Sequence, residues 1–237
     1  MSALSISVSG GAAHGVVVAG ALTALRDRGI VPETVSGISS GIMAAALAYG
    51  SADRERQLEF FAFAFREVRQ RFAPTRVAST LLPPYDVSGG ATLDQLAPFV
   101  DAPATYREAG LKSLWAGVAT WPAMGFEAHE LLAADDPHHL LVQVARSSMM
   151  PFMTHDTLHL QGGLDGAFRH NHFVPPDAPA RRWLMTYARK PFTSGRGPRG
   201  AYDRVILLRS PFLFALHLDP GRIARAWDSG YAQGRAL

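Results

Sequence analysis

The first fifty residues spell strand, glycine-rich loop, helix, strand, glycine-flanked turn, helix, and this alternation limits the fold more than any other feature of the chain. Leu4-Ser5-Ile6-Ser7-Val8 alternates apolar and polar residues, the period of a strand. Ser9 to Gly15 is a run of small residues interrupted by His14. Val16 to Arg28 is helical by composition, with Gly29 placed to stop it. Thr34-Val35-Ser36 reads as a second strand, Gly37 to Gly41 as a tight turn, and Ile42 to Tyr49 as an Ala-rich buried helix. Strands that alternate with helices in this way lie parallel, so the expectation is an α/β fold.

Further along, Ser51 to Phe72 is strongly amphipathic, with Leu58, Phe61, Phe65, Val68 and Phe72 forming a stripe expected to face the core. Residues 73 to 91 are loop-rich, and Leu81-Leu82-Pro83-Pro84-Tyr85 is an apolar loop. Thr92 and Gln95 form a capping-box pattern opening a short helix to Val100. Ser113 to Thr120 and Gly125 to Leu131 read as strands around a Trp121-Pro122 turn, and His138 to Ser147 as a helix. Thr157 to Leu160 reads as a strand leading into Gly162-Gly163-Leu164-Asp165-Gly166. Arg182 to Tyr187 and Arg204 to Leu208 complete the strands, with a Gly-rich loop over Ser194 to Gly200. Asp219-Pro220 sets the N-cap and first turn of a last helix to about Gln233. Neither an internal repeat nor a long linker divides the chain, so one domain over residues 1–237 is expected.

Composition removes several chemistries. There is no cysteine, hence no disulfide framework, no Cys-ligated metal and no thiol nucleophile. Lys112 and Lys190 are the two lysines among 23 cationic residues, which leaves little for Schiff-base chemistry. The net charge of +3 is too small to demand nucleic acid as a partner, and none is expected. Val16 to Leu25 is about half the apolar length of a spanning helix. The first 25 residues carry no Lys or Arg, unlike a secretory leader. A cytoplasmic protein with peripheral membrane contact is the expectation.

Gly37-Ile38-Ser39-Ser40-Gly41 fits G-x-S-x-G. A nucleophile between strand and helix must stand on a sharp turn so that its Oγ is exposed, and glycines two residues to either side let strand and helix pass closely. The frame assigns Ser39 as nucleophile; Ser40, one residue on, is the alternative and otherwise offers a backbone N–H. Gly10-Gly11-Ala12-Ala13-His14-Gly15 can converge backbone N–H groups on an anion, either an oxyanion or a phosphate. The dinucleotide pattern would need Gly at position 12 and the Walker pattern a Gly-Lys-Ser/Thr ending; the chain has neither. A serine nucleophile needs a proton acceptor, and Asp165 stands in a glycine-rich turn after a strand.

Taken in order, Gly10-Gly11-Ala12-Ala13-His14-Gly15, Gly37-Ile38-Ser39-Ser40-Gly41 and Asp165-Gly166-Ala167 resemble the patatin-like phospholipase family. Ala145 to Pro151 is similar to the family's helix-to-loop segment before its aspartate, Asn171 to its Asn-containing follow-on, and Gly230-Tyr231 to its closing helix. The resemblance implies a three-layer α/β sandwich with a mostly parallel central sheet flanked by helices. It implies hydrolysis of lipid carboxylic esters through an acyl-enzyme, with Ser39 as nucleophile and Asp165 as base. Backbone N–H groups of Gly10, Gly11 and Ala12 would form the oxyanion hole, with His14, Ser40 and Gly166 accessory and no cofactor or metal. Ala12 and His14 stand where the family has glycine and arginine.

Three other readings compete. A Ser–His–Asp esterase would use His217. A metal site would draw on His155, Asp156, His159, Asp165, His170 and His172. A non-catalytic lipid- or acyl-binding protein would keep the fold without the chemistry.

Overall fold

The computed structural model describes residues 3–71, 93–148, 159–187, 200–210 and 219–237. The Leu81–Tyr85 loop, the Thr92 cap, the start of the strand expected at Thr157, and His155, Asp156 and His217 lie outside those residues.

Strand β1 (Leu4–Val8) pairs in parallel with β2 (Thr34–Gly37) on one side and β6 (Arg181–Tyr187) on the other. β2 continues in parallel to β3 (Ser113–Thr120), and β6 to β7 (Arg204–Leu208). Two further strands, β4 (Phe126–Glu130) and β5 (Gly163–Asp165), run antiparallel to β3. The result is a mostly parallel, seven-stranded sheet ordered β4-β3-β2-β1-β6-β7, with β5 on β3. Helices flank it, as the α/β reading required.

The strand β5 is too short to be seen as one in the sequence, where Asp165 reads as a turn residue. Its placement follows from the two edges of β3. β2 takes one edge along Ser113–Ala116 and β4 the other along Trp115–Ala119. β5 pairs with Val118–Thr120, so it fills the edge that β2 vacates at Gly37. Asp165 therefore arrives where the chain leaves β2 for Ser39. A Cβ on Gly166 would lie 3.1 Å from Ile38 Cγ2 and collide with the Gly117 carbonyl, which is why the next residue is glycine.

The alternation in β1 is not an inside–outside pattern. Leu4, Ile6 and Val8 enter the core, but Ser5 and Ser7 are buried as well. Their face is satisfied by hydroxyls: Ser7 donates to the Phe173 carbonyl at 2.8 Å, and Ser36 reaches Ser7 Oγ at 2.9 Å. A central parallel strand is covered on both faces, and small hydroxylic residues let the 171–173 segment lie close against it.

Helix α1 (His14–Asp27) is buried from Gly15 to Leu25. Gly29 ends it as expected, with φ +72 and a Schellman pair in which Ile30 N–H donates to Leu25 O at 2.9 Å and Gly29 N–H to Arg26 O at 2.8 Å. Next come α2 (Ser40–Tyr49), α3 (Arg54–Arg71), the short α4 (Leu93–Leu96) with a 3₁₀ turn, α5 (Pro103–Glu108), α6 (Pro137–Ser147) and α7 (Pro220–Arg235). Asp136 and Asp219 each cap a helix whose first residue is proline, the same device used twice. α1 and α7 approach backbone to backbone: Cβ atoms on Gly20 or Gly230 would collide with the Trp227 or Val17 carbonyls.

On α3 the expected stripe faces the core as far as its side chains are described: Phe61 is buried, and Leu58 and Phe65 pack on the core margin. Gln57 and Phe60 are buried beside them, Gln57 fully because its partners wait there. It accepts from Trp227 Nε1 at 2.8 Å, and its amide donates to the Ala52 carbonyl and to Thr23 Oγ1, each at 3.1 Å. A satisfied polar residue at a core position is invisible to hydrophobic periodicity. No helix among the described residues is long and apolar enough to cross a membrane.

Candidate active site

Ser39 stands between β2 and α2 with φ +55, a conformation that non-glycine residues avoid and that costs on the order of 1–3 kcal/mol. The glycines around it are fixed by backbone. A Cβ on Gly37 would lie 2.6 Å from Ile42 Cα, and one on Gly41 would lie 2.8 Å from the Ser9 carbonyl oxygen. The turn is clamped from α6: Ser39 N–H donates to the Ser147 carbonyl and Oγ, both at 3.2 Å, and Ser148 Oγ donates to the Ser39 carbonyl at 3.2 Å. Ser147 Oγ in turn donates to the Gly117 carbonyl on β3 at 2.7 Å. These two serines lie in the Ala145–Pro151 segment; no spacing rule in the sequence pointed to their role.

Asp165 is buried, and the Ser39 hydroxyl lies close enough to favour its ionised form. Burial pushes its carboxyl up to about 6, while the hydrogen bonds from Ser39 and from the Ala167 N–H (2.8 Å) work in the other direction. The serine and aspartate chosen from separate motifs thus meet. A carboxylate whose pKa sits near neutrality is a far better base than an ordinary one near 4.

The Gly10–Gly15 loop lies against the Ser39 turn: a Cβ on Gly10 would fall 2.9 Å from Ser39 Cβ, and one on Gly15 would fall 2.8 Å from Ser40 Cβ. Its donors are not equivalent. Gly10 N–H donates to the Asn171 carbonyl at 3.2 Å, so it is turned toward the 171–173 segment. Gly11 N–H donates to Ser40 Oγ at 3.2 Å, beside the nucleophile, and Ala12 holds a left-handed φ of +49.

His14 opens α1 and stacks on Tyr187, with ring centroids 4.2 Å apart and planes 14° apart. Burial lowers its pKa, so it is neutral at pH 7 and does not supply the positive charge of an arginine there. Tyr187, which nothing in the sequence singled out, also donates its hydroxyl to the Gly10 carbonyl at 2.7 Å.

Among the described residues, the histidines expected for a metal site have separate partners. His159 Nδ1 accepts from Gly162 N–H at 3.2 Å, His170 meets Phe126 edge-on at 4.6 Å, and His172 bonds Tyr202 Oη at 3.0 Å. Among the described residues no three His, Asp or Glu side chains are placed to hold a metal ion.

A family model described as patatin-like phospholipase matches residues 6–178. Among solved structures, VipD from Legionella pneumophila is similar in fold, with a TM-score of 0.51 at 12% identity, covering 99% of this chain and 66% of that one. The type III effector ExoU gives a TM-score of 0.42 at 16% identity, over 99% of this chain and 52% of that one. The chain therefore spans about two thirds of VipD and about half of ExoU. No curated protein sequence matches it.

Proposed function

Since the chain belongs to the patatin-like phospholipase family, whose members hydrolyse lipid esters, we propose that it is an acyl hydrolase of the phospholipase A type working through Ser39 and Asp165. Asp165 takes the Ser39 proton as Oγ attacks the ester carbonyl carbon. The carbonyl oxygen becomes an oxyanion bound by the Gly11 and Ala12 N–H groups, aided by the N-terminus of α2. Collapse of the tetrahedral species breaks the ester C–O bond, and protonated Asp165 returns the proton to the departing alcohol. Water, deprotonated by Asp165, then releases the fatty acid from the acyl-serine. The observation that carries this reading is the strained Ser39 turn with its hydroxyl on a buried carboxyl of raised pKa.

Turnover of p-nitrophenyl esters of graded chain length, wild type against Ser39→Ala and Asp165→Asn, tests it. Each variant should lose at least about 10³ in kcat, as removal of a nucleophile or its base does elsewhere. Fluorophosphonate should label wild type at Ser39. Unlabelled, inactive wild type that still binds fatty acid would make the fold a binding protein; full activity in either variant would remove the dyad. The same reading puts the protein at a lipid surface, which co-sedimentation with phospholipid vesicles checks.

A further inference from the structure

Tyr187 ends β6, on the strand next to β1, and makes three contacts with the loop that follows β1. Its hydroxyl donates to the Gly10 carbonyl at 2.7 Å, in a buried bond. Its ring lies on Gly11, where any Cβ would collide with it. The same ring stacks on His14 at 4.2 Å. The Gly10 carbonyl and the Gly11 N–H belong to one peptide group, and that N–H points at Ser40 Oγ beside the nucleophile. The Gly10 N–H is held on the far side by the Asn171 carbonyl. The peptide is therefore gripped at its oxygen, and Gly10 at its nitrogen, while the Gly11 N–H donates to a serine hydroxyl beside the nucleophile.

We infer that Tyr187 is a positioning residue for oxyanion stabilisation: its phenol fixes the Gly10–Gly11 peptide plane and, by hydrogen-bonding the carbonyl, strengthens the Gly11 N–H as a donor to the substrate oxyanion. An amide whose oxygen accepts a hydrogen bond draws density from its nitrogen, so its N–H becomes a better donor. The chain of bonds runs from phenol to Gly10 carbonyl, through the peptide, to Gly11 N–H. In the free enzyme it ends on Ser40 Oγ; in the transition state it would end on the negative oxygen. A donor tuned this way acts most where charge is greatest, in the transition state rather than the ground state. Glycine at position 11 follows from the same contact, because the ring occupies the space of a side chain. The inference rests on the ester-hydrolase reading above.

The test removes the hydroxyl and keeps the ring. Tyr187→Phe should lower kcat on p-nitrophenyl esters by about tenfold or more with KM within about twofold, the pattern of an interaction made mainly in the transition state. Fluorophosphonate labelling of Ser39 should slow in proportion. To separate this loss from misfolding, the second arm replaces Tyr187 with fluorotyrosines of graded acidity, which preserve shape. kcat at a pH where the phenol is protonated should rise with its acidity, and activity should fall as each phenol ionises and ceases to donate. A purely structural tyrosine would give no such trend. Wild-type kcat in Tyr187→Phe, a flat fluorotyrosine series, or a change confined to KM would each overturn the inference. An active wild type with an inactive Ser39→Ala, beside a normal Tyr187→Phe, would overturn it alone; an unaltered Ser39→Ala would overturn the ester-hydrolase reading beneath it.

Discussion

At the Ser39 turn, Gly37 and Gly41 abut main chain, whereas in the Gly10–Gly15 loop Gly11 abuts a side chain, the ring of Tyr187. Both stretches follow a strand, precede a helix and present groups to the same site. The turn is built from what is adjacent in sequence: the end of β2, the start of α2 and a spacing of glycines between them. The loop is built from what is adjacent only in space, since Tyr187 and Asn171 reach it from far along the chain. A site of this kind therefore has one half encoded locally and one half encoded by strand order.

The comparison is broken most severely at the turn. Gly37→Ala puts a methyl group 2.6 Å from Ile42 Cα, where no rotamer change can make room. The cost should exceed about 3 kcal/mol, at the upper end for overpacking, and activity should disappear with the fold. Chemical denaturation and ester turnover measure both. A stable, active Gly37→Ala would show that the strand–helix crossing is looser than its geometry states.

Asp165 extends the comparison to charge. Its folded pKa of about 6 lies above the unfolded value of 3.8, so burial of its ionised form costs stability. The sign follows: the native state is favoured below the unfolded pKa, and that advantage is lost as pH rises through 6. Two units correspond to about 3 kcal/mol above pH 7. Asp165→Asn should remove that decline, raising the melting temperature at pH 8 while abolishing turnover. In wild type, activity should rise with pH along a limb centred near 6, because only the carboxylate can take the Ser39 proton. A pH-independent rate between 5 and 8 would contradict this, as would a loss of stability in Asp165→Asn at pH 8.

A double-mutant cycle sharpens the contrast between main-chain and side-chain crowding. Gly11→Ala should be destabilising alone, because its methyl enters the Tyr187 ring. In a Tyr187→Ala background the ring atoms nearest that methyl are gone. The pair should be less destabilised than the sum by about 1–2 kcal/mol, whereas Gly37→Ala combined with Tyr187→Ala should be additive. Additivity in the first pair would separate Gly11 from the ring.

This division also explains what could be read from the chain. The strand–loop–helix order, the Gly29 stop, the Asp219-Pro220 cap and the Ser39 turn were all legible, because each is set by residues within a turn or two. Ser39 and Asp165 could be paired through a resemblance, but not by spacing. What brings Asp165 in is β5, three residues whose register on β3 depends on where β2 stops. The bond from Gly10 N–H to Asn171 was hidden for the same reason, since only the packing of residues 171–173 across β1 creates it. Ser147, Ser148 and Tyr187 carry no local signature at all. The burial of Gln57 beside the apolar stripe of α3 was hidden because it satisfies itself on Trp227 and Thr23, two partners no periodicity reveals.

The smallest expected effect lies at His14, and its sign is the informative part. The ring stacks on Tyr187, burial lowers its pKa, and its Nδ1 is buried with no hydrogen-bond partner. A buried nitrogen of this sort contributes desolvation cost and no bond, so His14→Phe, which keeps a flat ring, should shift stability by less than about 1 kcal/mol at pH 8, toward the more stable side. Turnover at pH 8 should stay within about threefold of wild type, since no positive charge is lost. Below pH 6.5 the variants diverge. The unfolded chain binds a proton at His14 that the folded chain resists, so wild type loses stability as pH falls through that value, and His14→Phe does not. This slope is opposite to that of Asp165, so Asp165→Asn and His14→Phe should move the pH–stability curve of the same site in contrary directions. If His14→Phe instead cost activity at pH 8 as heavily as Tyr187→Phe, the imidazole would be acting on the substrate, and the loop would owe its chemistry to its own sequence after all.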